Sequence, residues 1–316
     1  GAGTYAKATL LPALQKAGWP RPVAITSATG LNAKALADKY NIPTVAADAD
    51  AVINDPNVSV VFILSRHDSH ADLAEKALLA GKDVFVEKPV ALSWDELERV
   101  ERAQRESGRL LWAGFNRRHS EAVTRTKAFF AEVSRPLVAT YRVNAGPLPE
   151  SHWYKDRRQG GRLVGEVCHF IDTISRIFGA QPTHVVTFGH HRGEILLIED
   201  LTIALRYPDG SSASVAYATG GSPRAPKELL EVVGGGHTVA INDYRSMSID
   251  GRRQPIQRAE KGHVANLTAF AAAISGDGTV PLNLAEDFGA TAATLEAIRS
   301  LVEGQVRALN NSPDSP

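Results

Sequence analysis

Cysteine and net charge are both nearly missing from this 316-residue sequence. Its one cysteine, Cys168, excludes an intramolecular disulfide framework and a zinc site built from several cysteines, and it is typical of a reducing compartment. The 35 basic and 35 acidic side chains cancel, which argues against a nucleic-acid-binding protein or a membrane-surface protein that relies on bulk charge. We therefore predict a small-molecule partner, with no nucleic acid and no membrane, and a cytoplasmic location.

Long apolar runs are missing as well. No run approaches the roughly 18 to 20 residues needed to span a bilayer. Because a chain of this length exceeds what one core usually supports, two domains are expected. The sequence opens on Gly1-Ala2-Gly3, a turn that normally follows a strand, and we expect that residues before Gly1 are missing or removed.

Short β-rich runs alternate with helical stretches as far as Arg118, which is the pattern of parallel βαβ units. The predicted strands are 23–27, 58–64, 83–86 and 110–115, and the predicted helices are 33–40, 70–80 and 93–107. The almost wholly apolar run 58–64 is expected to be central in the sheet. Ser93 and Glu96 form a capping box, and Pro12 predicts that the first helix starts late or kinks.

The second half of the sequence predicts a mainly antiparallel sheet. A hairpin is expected from 201–207 to 212–218, and strands are expected at 229–233, 237–241 and 244–249. A helical stretch over 263–309, broken between 276 and 281, and a disordered tail complete the prediction. The fold class is therefore α/β, with an N-terminal Rossmann domain and its parallel sheet over 1–118 and a C-terminal α/β domain with an open, mainly antiparallel sheet over 119–316. Such a sheet usually needs a partner, which favours a homo-oligomer, a dimer or a tetramer.

The segment from Gly1 to Ala6 has the form G-x-G-x-x-A, in which glycines let the backbone approach a pyrophosphate at a helix N-terminus. Alone this pattern is a weak indication, but the βαβ periodicity supplies the context that it requires. Residues 25–29 lack the carboxylate that usually holds the adenosine ribose, and Ser27 can bond either a hydroxyl or a phosphate oxygen. The cofactor is therefore NAD or NADP, with NADP somewhat favoured.

Lys88 directly follows the predicted strand 83–86, at the edge where open parallel sheets bind ligands. A cation there polarises a substrate oxygen and stabilises a developing alkoxide. Glu166 and His169 have a spacing that carboxylate-bridged metal sites use, but such sites need a second copy that the sequence lacks, so no metal is expected. The aromatic pair Trp153 and Tyr154 suits a sugar ring or, equally, a solvated loop.

Several segments together resemble the Gfo/Idh/MocA family of oxidoreductases in order and spacing, over nearly the whole sequence. They are 1–6, 65–70, 86–89, 114–118, 160–172, 261–263 and 300–304. The amino-acid sequences of segments 144–147, 152–154 and 165–170 are most similar to those of a subgroup in which this module is fused behind a zinc-alcohol-dehydrogenase-like half.

The resemblance implies oxidation of a secondary hydroxyl of a sugar, polyol or nucleotide sugar, with Lys88 as the catalytic lysine and His169 as the residue that exchanges the hydroxyl proton. The family usually has an aspartate four residues before this histidine, where Gly165 stands here. Glu166 is expected to replace it as a third catalytic residue, because on a helix Glu166, His169 and Asp172 share one face. The alternative is that Glu166 bonds backbone and a Lys–His pair acts alone.

By the same resemblance, the residues expected to hold the cofactor are Gly1, Gly3, Thr4, Tyr5, Ser27, Ser65, Arg66, His67, His70, Glu87, Lys88 and Asn116. Those expected to contact a carbohydrate-like substrate are Arg117, Trp153, Tyr154, Arg162 and Asp172. Two other functions stay open: an enzyme that retains its nicotinamide and oxidises transiently, such as a glycosidase or epimerase, and a cofactor-binding module of a larger fusion without chemistry of its own.

Overall fold

A computed structural model describes residues 1–28, 30–189, 198–276 and 284–309. Residues 277–281 of the predicted helix break and the predicted tail 310–316 lie outside the described residues. The strands are β1 (Ala24–Ile25), β2 (Thr44–Val45), β3 (Val60–Ile63), β4 (Asp83–Val86), β5 (Leu111–Ala113), β6 (Val138–Asn144), β7 (His184–Gly189), β8 (Leu201–Arg206), β9 (Ser212–Ala218), β10 (Glu228–Gly234), β11 (His237–Asn242), β12 (Ser246–Ile249), β13 (Arg252–Gln254) and β14 (Arg307–Ala308). The α-helices are α1 (Leu11–Lys16), α2 (Leu31–Tyr40), α3 (Ala49–Ile53), α4 (His70–Leu79), α5 (Trp94–Ser107), α6 (Glu121–Ala131), α7 (Cys168–Phe178), α8 (His263–Ser275) and α9 (Leu284–Glu303).

The chain divides into two compact units. Unit 1 comprises Gly1–Asn116 and His263–Phe288, and unit 2 comprises Arg117–Gly262 and Gly289–Pro316. The first crossing lies two residues before the predicted boundary at 118, and α8 returns to unit 1.

The return of α8 follows from polar and aromatic contacts within unit 1. Trp112 Nε1 donates to Asn266 Oδ1 at 2.7 Å, and Trp19 Nε1 donates to the Leu267 carbonyl at 3.0 Å. The Phe270 ring stacks on Trp19 with centroids 5.5 Å apart and lies 5.8 Å from Phe85. A helix that supplies apolar surface and hydrogen-bond partners together is held to the core of this unit.

The parallel sheet predicted for unit 1 is confirmed, but its centre is not where the sequence placed it. The strands pair in parallel as β1–β2 and as β3–β4–β5. In the second ladder β4 is central, with Val84, Phe85 and Val86 fully buried, and β3 is at the edge. The prediction that 58–64 is central was therefore wrong for this ladder, because an apolar run reports covered faces and not the number of neighbouring strands.

Helix ends in unit 1 follow the local rules of the sequence. Ser93 Oγ accepts from the Glu96 N–H at 3.2 Å, and the Glu96 carboxylate accepts from the Leu92 N–H at 2.7 Å, one residue before the predicted partner. Gly108, with φ of 62°, caps the far end of α5. The first helical stretch does not start late, because it is helical from Thr4 onward, but it is irregular: a π-helical turn over Ala6–Leu10 runs directly into α1, where Pro12 stands near the start.

Unit 2 is built on a sheet of order β13-β12-β11-β10-β6-β9-β8-β7-β14. All neighbours are antiparallel except β6 and β9, which pair in parallel, so the predicted mainly antiparallel sheet is confirmed. The hairpin β8–β9 also forms as predicted. One face of the sheet packs its alternate apolar side chains against α6, α7 and α9. None of the helices that the structure describes combines the length and apolar character required to cross a membrane.

Candidate active site

The glycine turn of unit 1 has one closed side and one open side. A Cβ on Gly1 would lie 2.2 Å from the Leu64 carbonyl oxygen and 2.9 Å from the Ser65 nitrogen, so only glycine fits there. A Cβ on Gly3 would meet nothing within 4 Å. Beyond the turn, Thr4 is exposed and Tyr5 is half-buried. The open space beside Gly3, next to the start of a helix, is where a pyrophosphate can approach the backbone.

Ser27 lies just beyond the end of β1. Its Oγ is buried, and no described residue hydrogen-bonds it. A buried hydroxyl of this kind is normally satisfied by a partner, and a ribose hydroxyl or a phosphate oxygen supplies one. The open cradle at Gly3 and this hydroxyl both fit a bound dinucleotide.

The turn that follows β3 carries four of the predicted cofactor residues and is closed by its own hydrogen bonds. Ser69 Oγ donates to Ser65 Oγ at 2.7 Å and lies 2.9 Å from the Arg66 carbonyl. Arg66 is exposed, whereas His67 is 5% and His70 1% exposed. His67 and His70 are therefore both buried, and His70 is the more completely enclosed.

Lys88 follows β4 at its carboxyl end, as the sequence predicts, and is half-buried. The N–H of Glu87, the residue before Lys88, donates to the Ile63 carbonyl at 3.0 Å, so the hydrogen bonding between β3 and β4 continues as far as the residue before Lys88. The Glu87 side chain lies over Gly114, where an added Cβ would be 2.7 Å from its Oε1. Asn116 is buried, and its N–H donates to the Gly114 carbonyl at 2.9 Å. Gly114 thus makes room for the carboxylate beside Lys88.

An apolar cavity of about 260 Å³ also lies in unit 1, lined by β1, β3 and α1. Its walls include Leu11, Ile25, Val60 and Phe62. Apolar walls do not suit a charged pyrophosphate, so this cavity is a poor site for that part of a dinucleotide.

In unit 2, two of the predicted substrate residues are engaged in buried ion pairs. Arg117 donates from Nε and Nη2 to the two oxygens of Glu228 at 2.9 and 2.8 Å. Arg118 donates to Asp172, whose side chain is 2% exposed. The structure thus gives Arg117 and Asp172 protein partners, and the substrate roles predicted for them stay predictions.

Glu166 and His169 stand on different kinds of helix. Glu166 belongs to a π-helical turn over Leu163–Val167, and His169, 6% exposed, belongs to α7. The π-helical turn interrupts the regular 3.6-residue period on which the predicted shared face of Glu166, His169 and Asp172 depends, so that shared face stays a prediction. Glu166 accepts a hydrogen bond from the Tyr217 hydroxyl at 2.8 Å.

Two cations accompany the Glu166 carboxylate. Arg162 Nε lies 3.8 Å and Lys227 Nζ 3.9 Å from its oxygens. Arg162 also donates from Nη1 to the Gly146 carbonyl at 2.6 Å and lies over the Tyr217 ring, 5.8 Å from its centroid. The predicted substrate residue Arg162 and the predicted catalytic residue Glu166 therefore belong to one polar cluster, which we call the Glu166 cluster: Arg162, Glu166, Tyr217 and Lys227.

The aromatic turn of unit 2 brings Trp153 and Tyr154 together, with ring centroids 4.2 Å apart. His152 lies beside both, at 5.9 and 5.2 Å. The Tyr154 hydroxyl lies 3.5 Å from the Gly165 carbonyl, directly before Glu166. Across the described ranges, no three His, Cys, Asp or Glu side chains are grouped so as to bind a metal ion.

Sequence reasoning missed Tyr217 and Glu228, although a signal for each existed. Both occupy buried positions in strands that alternate between buried and less buried residues, β9 and β10. A polar side chain at an inward position must find a partner, and these two find Glu166 and Arg117. An inward glutamate among apolar neighbours was the clearer of the two signals.

Comparison with known proteins follows the division into two halves. The model for the N-terminal part of an oxidoreductase family, described as an NAD-binding Rossmann fold, matches residues 1–115, and that for its C-terminal α/β domain matches residues 135–305. The chain belongs to the Gfo/Idh/MocA family.

The chain is 28% identical over 199 residues to an uncharacterized oxidoreductase of Bacillus subtilis, covering 61% of this chain and 58% of the relative. It is 36% identical over 133 residues to an inositol 2-dehydrogenase of Salmonella typhimurium, covering 40% of each. Matches to these curated relatives thus span about 40 to 60% of their length. A solved structure, the aldose-aldose oxidoreductase of Caulobacter crescentus, superposes with a TM-score of 0.84 at 22% identity over 98% of both chains, which shows the fold.

Proposed function

We propose that this chain is an NAD(P)-dependent oxidoreductase that transfers hydride between a nicotinamide and a secondary hydroxyl or ketone of a sugar, polyol or nucleotide sugar. The observation that carries the proposal is the pairing, within unit 1, of an open cradle at Gly3 with Lys88 at the carboxyl end of β4. Ligands bind outside the carboxyl ends of strands in sheets of this kind. The likeness to an inositol 2-dehydrogenase supports a polyol-like substrate.

Gly1, Gly3 and the helix start at Thr4 are proposed to hold the pyrophosphate, and Ser27 the adenosine ribose or its phosphate. The turn after β3 and Glu87 complete the cofactor site. No carboxylate follows β1 in residues 25–28, which favours NADP over NAD. When bound, the nicotinamide supplies a hydride acceptor or donor.

The protein's own groups are proposed to handle the hydroxyl. As the C–H bond gives up its hydride, the O–H bond must give up a proton, and a ring nitrogen of His169 takes it. The Lys88 ammonium stabilises the negative charge that develops on the oxygen. Trp153 and Tyr154 offer aromatic faces to a sugar ring. Glu166 is proposed to act through its contacts in the Glu166 cluster.

The test is cofactor binding by calorimetry with NAD(H) and NADP(H), followed by a screen of sugars and polyols. Lys88→Met and His169→Asn are expected to lower kcat about 10²-fold or more while the cofactor Kd changes little. Lys76→Met, on the exposed face of α4, is the matched control and should leave kcat unchanged. No binding of either cofactor would overturn the proposal.

Two other outcomes of this experiment identify different functions. Nicotinamide that survives dialysis, with no net change in its absorbance during turnover, identifies a glycosidase or epimerase that oxidises transiently. Exchangeable binding without turnover of any alcohol identifies a cofactor-binding module. We further propose a homo-oligomer in the cytoplasm, which light scattering and fractionation test, and membership of the subgroup fused to a zinc-alcohol-dehydrogenase-like half, which the reading frame of the natural gene tests.

A further inference from the structure

His70 is enclosed at the start of α4 with both ring nitrogens facing backbone oxygens. Nδ1 lies 2.8 Å from the Pro89 carbonyl oxygen, and Nε2 lies 3.3 Å from the Ser65 carbonyl oxygen. The residue is 1% exposed. Both ring nitrogens therefore face the protein's own backbone from an enclosed position, whereas the sequence suggests that this residue holds the cofactor.

Burial leaves the ring with one N–H, so only one of the two contacts is a hydrogen bond from the ring. It lowers the pKa of His70, against the raising effect of the two carbonyls, and nearby Lys88 lowers the pKa further. The imidazole is therefore neutral at pH 7 and carries a single N–H. We assign this proton to Nδ1, because its contact is shorter by half an ångström. His70 thus donates to Pro89.

The Pro89 carbonyl is the first backbone acceptor after Lys88. On the other side of the lysine, the Glu87 N–H is held by Ile63 at 3.0 Å. The backbone of Lys88 is therefore fixed before the residue by the sheet and after it by His70. The opposite edge of the same ring lies against Ser65, whose hydroxyl accepts from Ser69 at 2.7 Å.

We propose that His70 is a positioning residue that sets the Lys88 ammonium through Pro89 and does not itself contact the cofactor. The proposal rests on the proposed function of Lys88. A displacement of about 1 Å at a reacting group lowers turnover about 10²-fold, so loss of the Pro89 hydrogen bond should depress kcat and leave the cofactor Kd within about threefold.

Three substitutions separate the two ends of the ring. His70→Asn places an amide N–H where Nδ1 stood and keeps the donor to Pro89. His70→Gln places its amide near the former Nε2, and His70→Leu has no donor. We expect kcat within about fivefold of the unsubstituted protein for His70→Asn, and losses of about 10²-fold for His70→Gln and His70→Leu. Thermal unfolding checks that all three variants fold.

A second readout works without turnover. Brief acetylation, quantified by mass spectrometry, reports the rate of modification of Lys88 against exposed Lys76 in the same sample. His70→Asn should keep this ratio, and His70→Leu should shift it at least threefold.

Retention of kcat and of the acetylation ratio in His70→Asn, with loss of both in His70→Leu, supports the proposal. Equal losses in all three variants, or a tenfold rise in cofactor Kd, overturn it, since the first is the mark of a role in packing alone and the second of a cofactor ligand. If the unsubstituted protein oxidises no alcohol, the proposed function fails by itself, and the acetylation ratio decides the role of His70 alone.

Discussion

Arg117 and Glu228 form a two-pronged ion pair in which the arginine side chain is 10% and the glutamate side chain 1% exposed. Lys261 donates to the same carboxylate, and the Tyr141 hydroxyl donates to it at 2.8 Å. Burial raises the pKa of Glu228, but the charges of Arg117 and Lys261 outweigh burial and bring it well below its usual range. Arg117 begins unit 2, and Lys261 lies one residue before the end of its first segment. One carboxylate therefore holds both ends of that segment.

Removal of the Glu228 charge should destabilise unit 2 strongly. Glu228→Gln leaves Arg117 and Lys261 without their counter-charge, and breaking one side of a buried ion pair costs about 3–5 kcal/mol. Urea unfolding followed by circular dichroism measures the change. Glu231→Gln, an exposed site on the same strand, should change the free energy of unfolding by less than about 0.5 kcal/mol. Equal midpoints for the two variants would show that the buried pair contributes nothing.

His119 should make the protein less stable in mild acid. Burial, followed by the positive charges of Arg118 and Arg176, lowers the pKa of His119 to about 3. A histidine in an unfolded chain has a pKa near 6.5. Below that pH, His119 therefore binds a proton in the unfolded chain but not in the folded one. The free energy of unfolding therefore falls as the pH drops from about 6.5 towards about 3, by roughly 1–2 kcal/mol at pH 5. Unfolding at pH 7 and pH 5 should show a smaller loss for His119→Gln, and parallel losses would refute the assignment.

Gly3→Ala should separate cofactor binding from stability. The methyl group meets no protein atom within 4 Å, so the melting temperature should hardly move, but it fills the space through which a pyrophosphate approaches the backbone. We expect the Kd for the preferred nicotinamide cofactor to rise at least tenfold by calorimetry. Gly220→Ala, a glycine of unit 2 with equally open surroundings, should change neither quantity. A Kd that stays unchanged in Gly3→Ala would place the dinucleotide elsewhere.

The hydrogen bond from Tyr217 to Glu166 should appear as coupling between their substitutions. Burial and the Glu166 charge raise the pKa of Tyr217, which keeps its phenol protonated as a donor. Tyr217→Phe and Glu166→Gln are each expected to lower kcat/KM. The kcat/KM of the double variant should be no lower than that of the more impaired single variant, which corresponds to a coupling energy of roughly 0.5–3 kcal/mol. Tyr207→Phe, which loses a contact with Ser175 instead, should combine additively with Glu166→Gln. Additivity in both pairs would contradict a shared role.

Local features of the fold were predictable because they depend on neighbouring residues. The capping residue Ser93, the stop at Gly108 and the strand β4 stand where the sequence placed them, and so does the hairpin around Pro208-Asp209-Gly210. Helix α6 and strand β6 were not predicted, although the alternation in β6 is clear once its buried face is known. The position of Lys88 followed from the end of one strand.

Pairings between distant segments were not predictable in this way. The parallel match of β6 with β9 and the return of α8 to Trp112 join residues far apart in the chain, and no local propensity selects such partners. The hydrogen bond from Tyr217 to Glu166 was not predicted for the same reason, because the two residues lie 51 positions apart in the sequence.

The sequence by itself determined the family, the alternation of strands and helices in the first part of the chain, and the placement of the glycine turn and Lys88, since each depends on short segments of neighbouring residues. Tertiary structure alone decided which polar side chains satisfy one another. It gave Glu166 to Tyr217, Arg117 to Glu228 and the His70 ring to Pro89. The physical reason is that a buried polar group must bond whichever partner the packed elements bring to it, and that partner is fixed by packing and not by spacing.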